Sequence, residues 1–344
     1  MIDKLAEQVD RMTLEEKVGQ LFLVRFDASN KELPKVRPAG YLLEKGAFNM
    51  DKATFKALVS DLTEKGIPPF LAVDEEGGNN CSISSSKNFR RRRFRSVKEL
   101  KSLTDVMIDS TEKLKLMKEI GVNMNFGISA NHATTRKAYC YPGSYSRSID
   151  EVASYVDFET ALHNEFKVIP VIKDFPGYGD AKYDKGAILD NRTLSYIISG
   201  LTPFIAAIRR GAPAILIAGS VITQADFTPA CLEEKIYSLL RNTIGFQGVI
   251  ISNNTSNAVK HDDVVHQIEL GSNLVICNND AYESQKNLII QGVNDGFLSE
   301  ENIDTSVLKV LFLKKMYQII WSKIRREGSR VALLFLFNIN EIHL

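Results

Sequence analysis

Eight short apolar runs, rich in β-branched residues, recur along this chain and constrain its fold more than any other feature. They cover residues 21–25, 40–43, 70–73, 122–126, 168–172, 214–218, 248–252 and 273–277. Runs such as Val168-Ile-Pro-Val-Ile172 and Ala214-Ile-Leu-Ile-Ala218 lack polar alternation, so both faces of each strand must be buried. Between most of them lie segments with helical spacing, at 51–65, 106–120, 150–165, 193–210, 229–243 and 259–270, and two more follow at 282–295 and 300–324. Gly121, Gly211, Gly245 and Gly271 close four of these segments, where a left-handed residue ends a helix. Thr13-Leu-Glu-Glu16 reads as a capping box.

Strands buried on both faces need helices covering a parallel sheet, and eight such units predict an α/β fold, a single-domain (β/α)8 TIM barrel over residues 1–324. A doubly wound open sheet would carry a glycine-rich phosphate loop near its start, and neither GxGxxG nor GxxxxGK[ST] occurs. Residues 325–344 form a C-terminal tail of a different character, in which the apolar stretch Val331-Ala-Leu-Leu-Phe-Leu-Phe337 fits an extra strand, an interface segment or a frayed end.

Composition narrows the function classes. The chain is 44% hydrophobic and 25% charged, as in ordinary globular proteins, with a net charge of +1. That balance predicts no nucleic-acid partner and no general attraction to a membrane surface. No run of about 18 apolar residues occurs, so no membrane span is expected. The N-terminus lacks the apolar core of a signal peptide, so a cytoplasmic location is expected. Cys81, Cys140, Cys231 and Cys277 form no CxxC pair, so neither a zinc knuckle nor a redox motif is expected; nothing calls for a cofactor.

Charge gathers at the ends of two strands. Lys173-Asp-Phe-Pro-Gly-Tyr-Gly-Asp180 follows the fifth run and continues to Asp184 and Gly186. Asp174, Asp180, Asp184 and Lys173 thus crowd into a turn shaped by proline and glycines. Such a loop on a rigid scaffold marks a site, whereas Asp in the turn positions of a solvated loop is the plain alternative. Asp74-Glu-Glu-Gly-Gly78 follows the third run and offers hard oxygen donors to a cation. Arg90-Arg-Arg-Arg-Phe-Arg95 could grip an anion, but a block of like charge reads more simply as a solvated insertion.

Six motifs occur in order: Met12-Thr-Leu-Glu-Glu-Lys-Val-Gly-Gln-Leu21, Ala72-Val-Asp-Glu-Glu-Gly-Gly78, Gly121-Val-Asn-Met-Asn-Phe126, Lys173 with Phe175-Pro-Gly and Gly179-Asp180, Gly245-Phe-Gln-Gly-Val-Ile-Ile-Ser252, and Leu270-Gly-Ser-Asn-Leu274. Over about residues 5–320 the chain resembles glycoside hydrolase family 3, specifically the single-domain β-N-acetylglucosaminidases (β-hexosaminidases) that act on cell-wall muropeptides. The resemblance implies a (β/α)8 barrel and a retaining O-glycosyl hydrolase needing a carboxylate nucleophile and an acid/base group. It implies a nucleophilic aspartate after the seventh strand, a histidine paired with an aspartate on the fifth-strand loop, and sugar-binding groups that include the aspartate after the third strand.

Position by position, the chain departs from that pattern. The nucleophile position is Asn253, and an amide cannot form a glycosyl ester. Asp184 matches the dyad aspartate, but its histidine partner is Gly186. Lys173 matches, whereas the next histidine is Asp174, a second is Tyr178, and the strand-four aspartate aligns with Asn131. The expected substrate-binding set is Asp74, Lys173, Asp174, Asn131 and Asp180, with no metal. The expectation is a catalytically inactive homologue, binding an amino-sugar or muropeptide-like ligand or serving as a scaffold. Hydrolysis through substitute residues such as Asp174 or Asp184 is a second expectation. A third is an interaction module that meets a protein partner through its surface or C-terminal tail.

Overall fold

The computed structural model describes residues 2–26, 28, 33–184, 187–222, 227–253 and 259–320. The eight runs form eight strands: β1 (Phe22–Arg25), β2 (Gly40–Leu42), β3 (Phe70–Val73), β4 (Met124–Ser129), β5 (Ile169–Phe175), β6 (Ala214–Ile217), β7 (Val249–Asn253) and β8 (Leu274–Cys277). All are parallel, each pairs with its neighbour in sequence, and β8 closes on β1 with Phe22 opposite Val275. The expected (β/α)8 barrel is therefore the fold.

Around it run α1 (Ile2–Asp10), α2 (Leu14–Gly19), α3 (Lys52–Thr63), α4 (Leu103–Ile120), α5 (Ile149–Phe166), α6 (Leu194–Ser199), α7 (Thr202–Arg209), α8 (Glu234–Ser238), α9 (Asp263–Glu269), α10 (Tyr282–Asn294) and α11 (Glu300–Met316). The capping box forms as expected: the Glu16 amide donates to Thr13 Oγ1 at 3.3 Å and the Thr13 amide to Glu16 Oε2 at 2.9 Å. Gly121 ends α4 at φ +86°.

Two expectations need correction, on the segment 193–210 and on the arginine run. The segment 193–210 is two helices, α6 and α7, because Gly200 caps the first and Pro203 starts the second. No helix lies between β1 and β2 among the described residues, so strand and helix do not alternate strictly there. The arginine run is no free insertion: Phe94 is buried, Arg90 pairs with Glu112 at 2.8 Å, and Arg95 pairs with Asp105 and Asp109 at 2.8 and 3.4 Å. It docks on α4, leaving Arg91, Arg92 and Arg93 exposed. Trp321 and the tail 325–344 lie outside the described residues.

Strand periodicity divides the core in two. Leu23, Phe70, Ala72, Met124, Phe126, Ile169, Val171, Ala214, Leu216, Val249, Ile251, Leu274 and Ile276 form one cluster inside the barrel. Val310, Leu313 and Tyr317 belong to it from the α11 end. The alternate residues, among them Phe22, Val24, Leu71, Val73, Ile172, Ile215, Ile250, Val275 and Cys277, face the surrounding helices. Cys277 is thus buried, and Phe312 is core.

Barrel closure demands close backbone approach at Gly40. A Cβ there would lie 2.5 Å from both the Cβ and the backbone oxygen of Phe70. Gly46, by contrast, has nothing within 4 Å of such a Cβ. Urea unfolding should show Gly40→Ala losing about 2–3 kcal/mol by overpacking, with Gly46→Ala within about 0.5 kcal/mol of the unaltered protein. Equal effects of the two substitutions would contradict the packing described.

Candidate functional site

The inside-facing parity of the strands continues past their C-terminal ends. Residues 70 and 72 lead to Asp74 and Glu76, 169 and 171 lead to Lys173, and 249 and 251 lead to Asn253. On β4 the register shifts between Asn125 and Ile128, so Ser129 and Asn131 take the inward side. Together with Asp174, Tyr178, Tyr139, Leu216 and Ile276 these residues line an open cavity of about 950 Å³ at the C-terminal mouth of the barrel. That is the face on which barrels of this kind carry their sites.

Lys173 is its centre. Its Nζ lies 2.9 and 2.7 Å from the two Asp74 oxygens and 3.1 Å from Glu76 Oε2. Burial alone would lower its pKa, but Asp74, Glu76 and Asp174 outweigh burial and hold the ammonium above its ordinary value. Asn80 Nδ2 donates to Asp74 at 3.3 Å and to Glu76 at 3.1 Å. Asn131 Nδ2 donates to Asp174 Oδ2 at 3.0 Å, and Asn131 Oδ1 accepts from the Tyr178 amide at 3.0 Å. Burial pushes the Asp174 carboxyl up to about 6, against the pull of Lys173 and Asn131.

The acidic triplet after β3 does not converge on a cation. Glu75 turns the other way, fully buried, and accepts from the Ile83 amide at 2.5 Å and the Ser84 amide at 3.2 Å. Asp74 and Glu76 face the same side, and the Lys173 ammonium pairs with both. Among the described residues no group of three or more His, Cys, Asp or Glu side chains is arranged to hold a metal.

Two expected site residues lie elsewhere. Asp180 bonds to the β4 loop: it accepts from the Thr134 amide at 2.8 Å, the Thr135 amide at 3.0 Å and the Thr134 hydroxyl. Burial opposes its charge, yet these donors hold the carboxyl below its ordinary value. Asp184 is exposed on the hairpin of Lys182–Asp184 with Ala187–Asp190. Both line a second cavity, of about 1170 Å³, outside the barrel mouth. A single pocket uniting Asp74, Asp174, Asp180 and Asp184 is therefore not formed. Gly186 lies outside the described residues.

Sequence reasoning missed Glu76 as a partner of Lys173, and missed Asn80 and Tyr139. Glu76 was within reach: in an extended segment positions 74 and 76 share a face and 75 opposes them. Asn80 and Tyr139 come from loops, where no periodicity announces direction.

Comparison with known proteins agrees with this fold. The profile described as Glycosyl hydrolase family 3 N terminal domain matches residues 13–313. A β-hexosaminidase of Stenotrophomonas maltophilia is 26% identical over 214 residues, covering 56% of this chain and 60% of that protein. The chain thus spans less than two thirds of that relative's length. The solved glycoside hydrolase family 3 β-N-acetylglucosaminidase of a Paenibacillus superposes with a TM-score of 0.83 at 21% identity, over 92% of this chain and 65% of its own. A β-N-acetylhexosaminidase of Beutenbergia cavernae gives a TM-score of 0.76 at 23% identity, over 88% and 99%. At these identities the two structures establish a shared fold. Among the described residues no helix is long and apolar enough to cross a membrane.

Removing the ammonium should leave carboxylates facing one another in a half-buried pocket. Lys173→Met is expected to cost about 3 kcal/mol near neutral pH. The loss should shrink below about pH 5, because unpaired buried carboxylates have raised pKa values and the folded state then binds more protons than the unfolded one. Urea titrations at pH 4.5 and 7.5 measure it; a loss independent of pH would count against the ion cluster as its cause.

Proposed function

The chain belongs to glycosyl hydrolase family 3, and from that premise we propose that it binds an amino sugar in the strand-end pocket without hydrolysing it. One observation carries the reading. Asn253, at the position where the family resemblance puts the nucleophile, lines the same cavity as Asp74 and Lys173. A neutral amide there supplies neither a nucleophile nor a developing ester. Gly186, at the acid/base position, has no side chain to protonate a leaving oxygen, a function worth about 10²–10⁴-fold in rate.

What remains suits recognition. Asp74 and Glu76 offer acceptors, Lys173 and Asn80 offer donors, and apolar Phe126, Leu216 and Ile276 line the same cavity. The ligand class follows from relatives named β-hexosaminidase and β-N-acetylglucosaminidase. It is N-acetylglucosamine or a fragment that ends in it, such as a muropeptide. The substrate-binding roles assigned to Asp74, Lys173, Asp174 and Asn131 belong to this proposal.

A second reading rests on Asp174. With its carboxyl pushed up to about 6, part of it is protonated in mild acid and can serve as a general acid. Residual hydrolysis below pH 6 is the outcome it predicts.

The two readings separate in one experiment. On the binding reading, N-acetylglucosamine shifts amide resonances of the pocket residues, Asp74→Ala abolishes the shifts, and 4-nitrophenyl N-acetyl-β-glucosaminide is not turned over between pH 5 and 8. Asn253→Asp combined with Gly186→His should then restore turnover. Turnover by the unaltered protein would overturn the binding reading. If that turnover rises below pH 6 and is lost in Asp174→Asn, the second reading holds; if it is lost in Asp184→Ala, the exposed hairpin carries the chemistry.

A further inference from the structure

The pocket does not end at the barrel mouth. Tyr178, almost buried, and Tyr139, 48% exposed, both line it. Their ring centroids lie 5.2 Å apart at an interplanar angle of 82°. Tyr139 in turn stacks on Tyr183, which is 61% exposed, at 6.5 Å and 27°. Tyr183 lines the second cavity, together with His132, Asp184, Arg192 and Tyr196. A row of three tyrosines therefore leads from the strand-end pocket into the outer groove.

The row stands on a stiff wall. The loop after β4 and the loop after β5 are joined by backbone and side-chain bonds. The Tyr139 amide donates to the Ala181 carbonyl at 2.8 Å, and Cys140 Sγ donates to the Gly179 carbonyl at 3.1 Å. Asp180 holds the Thr134 and Thr135 amides of the opposite loop. Arg192 anchors the outer side, pairing with both Asp190 oxygens at 2.9 and 2.7 Å and donating to the Gly177 carbonyl. Scattered exposed apolar residues are ordinary, but stacked exposed rings that continue a pocket mark a binding surface.

We propose that Tyr139 and Tyr183 form a platform for a second sugar ring, so that the ligand is an oligosaccharide running from the strand-end pocket into the outer groove. This rests on the pocket reading above. A pyranose has an apolar C–H face and hydroxyls around its edge. A tyrosine answers with a flat apolar face and a polar tip. His132, Asp184 and Arg192 bring polar groups to the same groove for the hydroxyls. Because the wall is already ordered, a ring stacking there immobilises little protein.

The test compares N-acetylglucosamine with its β-1,4-linked trimer by titration calorimetry. The unaltered protein should bind the trimer about tenfold or more tightly than the monomer, the worth of one good aromatic contact. Tyr183→Ala should bring the trimer close to the monomer and leave the monomer unchanged; an exposed position tolerates the truncation, and circular dichroism checks the fold. Monomer binding with no gain for the trimer, or a gain that survives Tyr183→Ala, overturns the platform while the pocket reading stands. Trimer binding that needs Tyr183 but ignores Asp74→Ala keeps the platform and overturns the pocket. Binding of neither sugar overturns both, and leaves the tyrosine row to a protein partner.

Discussion

The contact between Lys173 and the two carboxylates above β3 organises this molecule's functional end. It ties the tip of β5 to the tip of β3 across the intervening β4, which fixes the wall of the barrel mouth. One buried ammonium faces Asp74 and Glu76 directly, with Asp174 beside it. With all three carboxylates ionised, such a cluster is two negative charges in excess. The excess is met partly by Asn80 and Asn131, which donate to its oxygens, and partly by the raised carboxyl of Asp174. Charges arranged in this way hold the pocket open and polar, since burying them without partners would be costly.

Beyond the cluster the mouth is built from two loops that bond to one another as well as to the barrel. Asp180 shows the consequence. It sits in the loop whose family resemblance is catalytic, yet its oxygens accept from Thr134 and Thr135 and join the two loops. Asp184 is carried still farther out, on a hairpin of its own. The polar residues of one sequence motif are thereby divided between the strand-end cavity and the outer one. On the proposed reading the division matters, because a sugar-binding mouth needs a firm rim more than it needs mobile catalytic groups.

Much of this was legible in the chain. The eight apolar runs became the eight strands with ends shifted by only a few residues, because both-face burial leaves a signature that turns cannot imitate. Even the pocket was partly readable, since Asp74, Lys173 and Asn253 follow the inward parity of their strands. Misreadings arose where a contact distant in sequence overruled a local pattern. The arginine run looked solvated, but Phe94 buries itself and Arg95 finds Asp105 and Asp109 on α4. A single helix over 193–210 looked continuous, but Gly200 and Pro203 together break it.

The sequence by itself determined the barrel and which side chains could face its axis, because strand period and helix capping are local properties of the backbone. It determined also that amide and glycine stand where the family resemblance puts nucleophile and acid. Only the tertiary structure decided which acidic residues share a pocket. The register shift on β4, the bonding of two loops into one wall and the turning of Glu75 into the interior depend on neighbours 8 to 50 residues away. No period in the chain encodes such distances, so the number of carboxylates around Lys173, and the tyrosines that lead away from it, emerge only when the barrel closes.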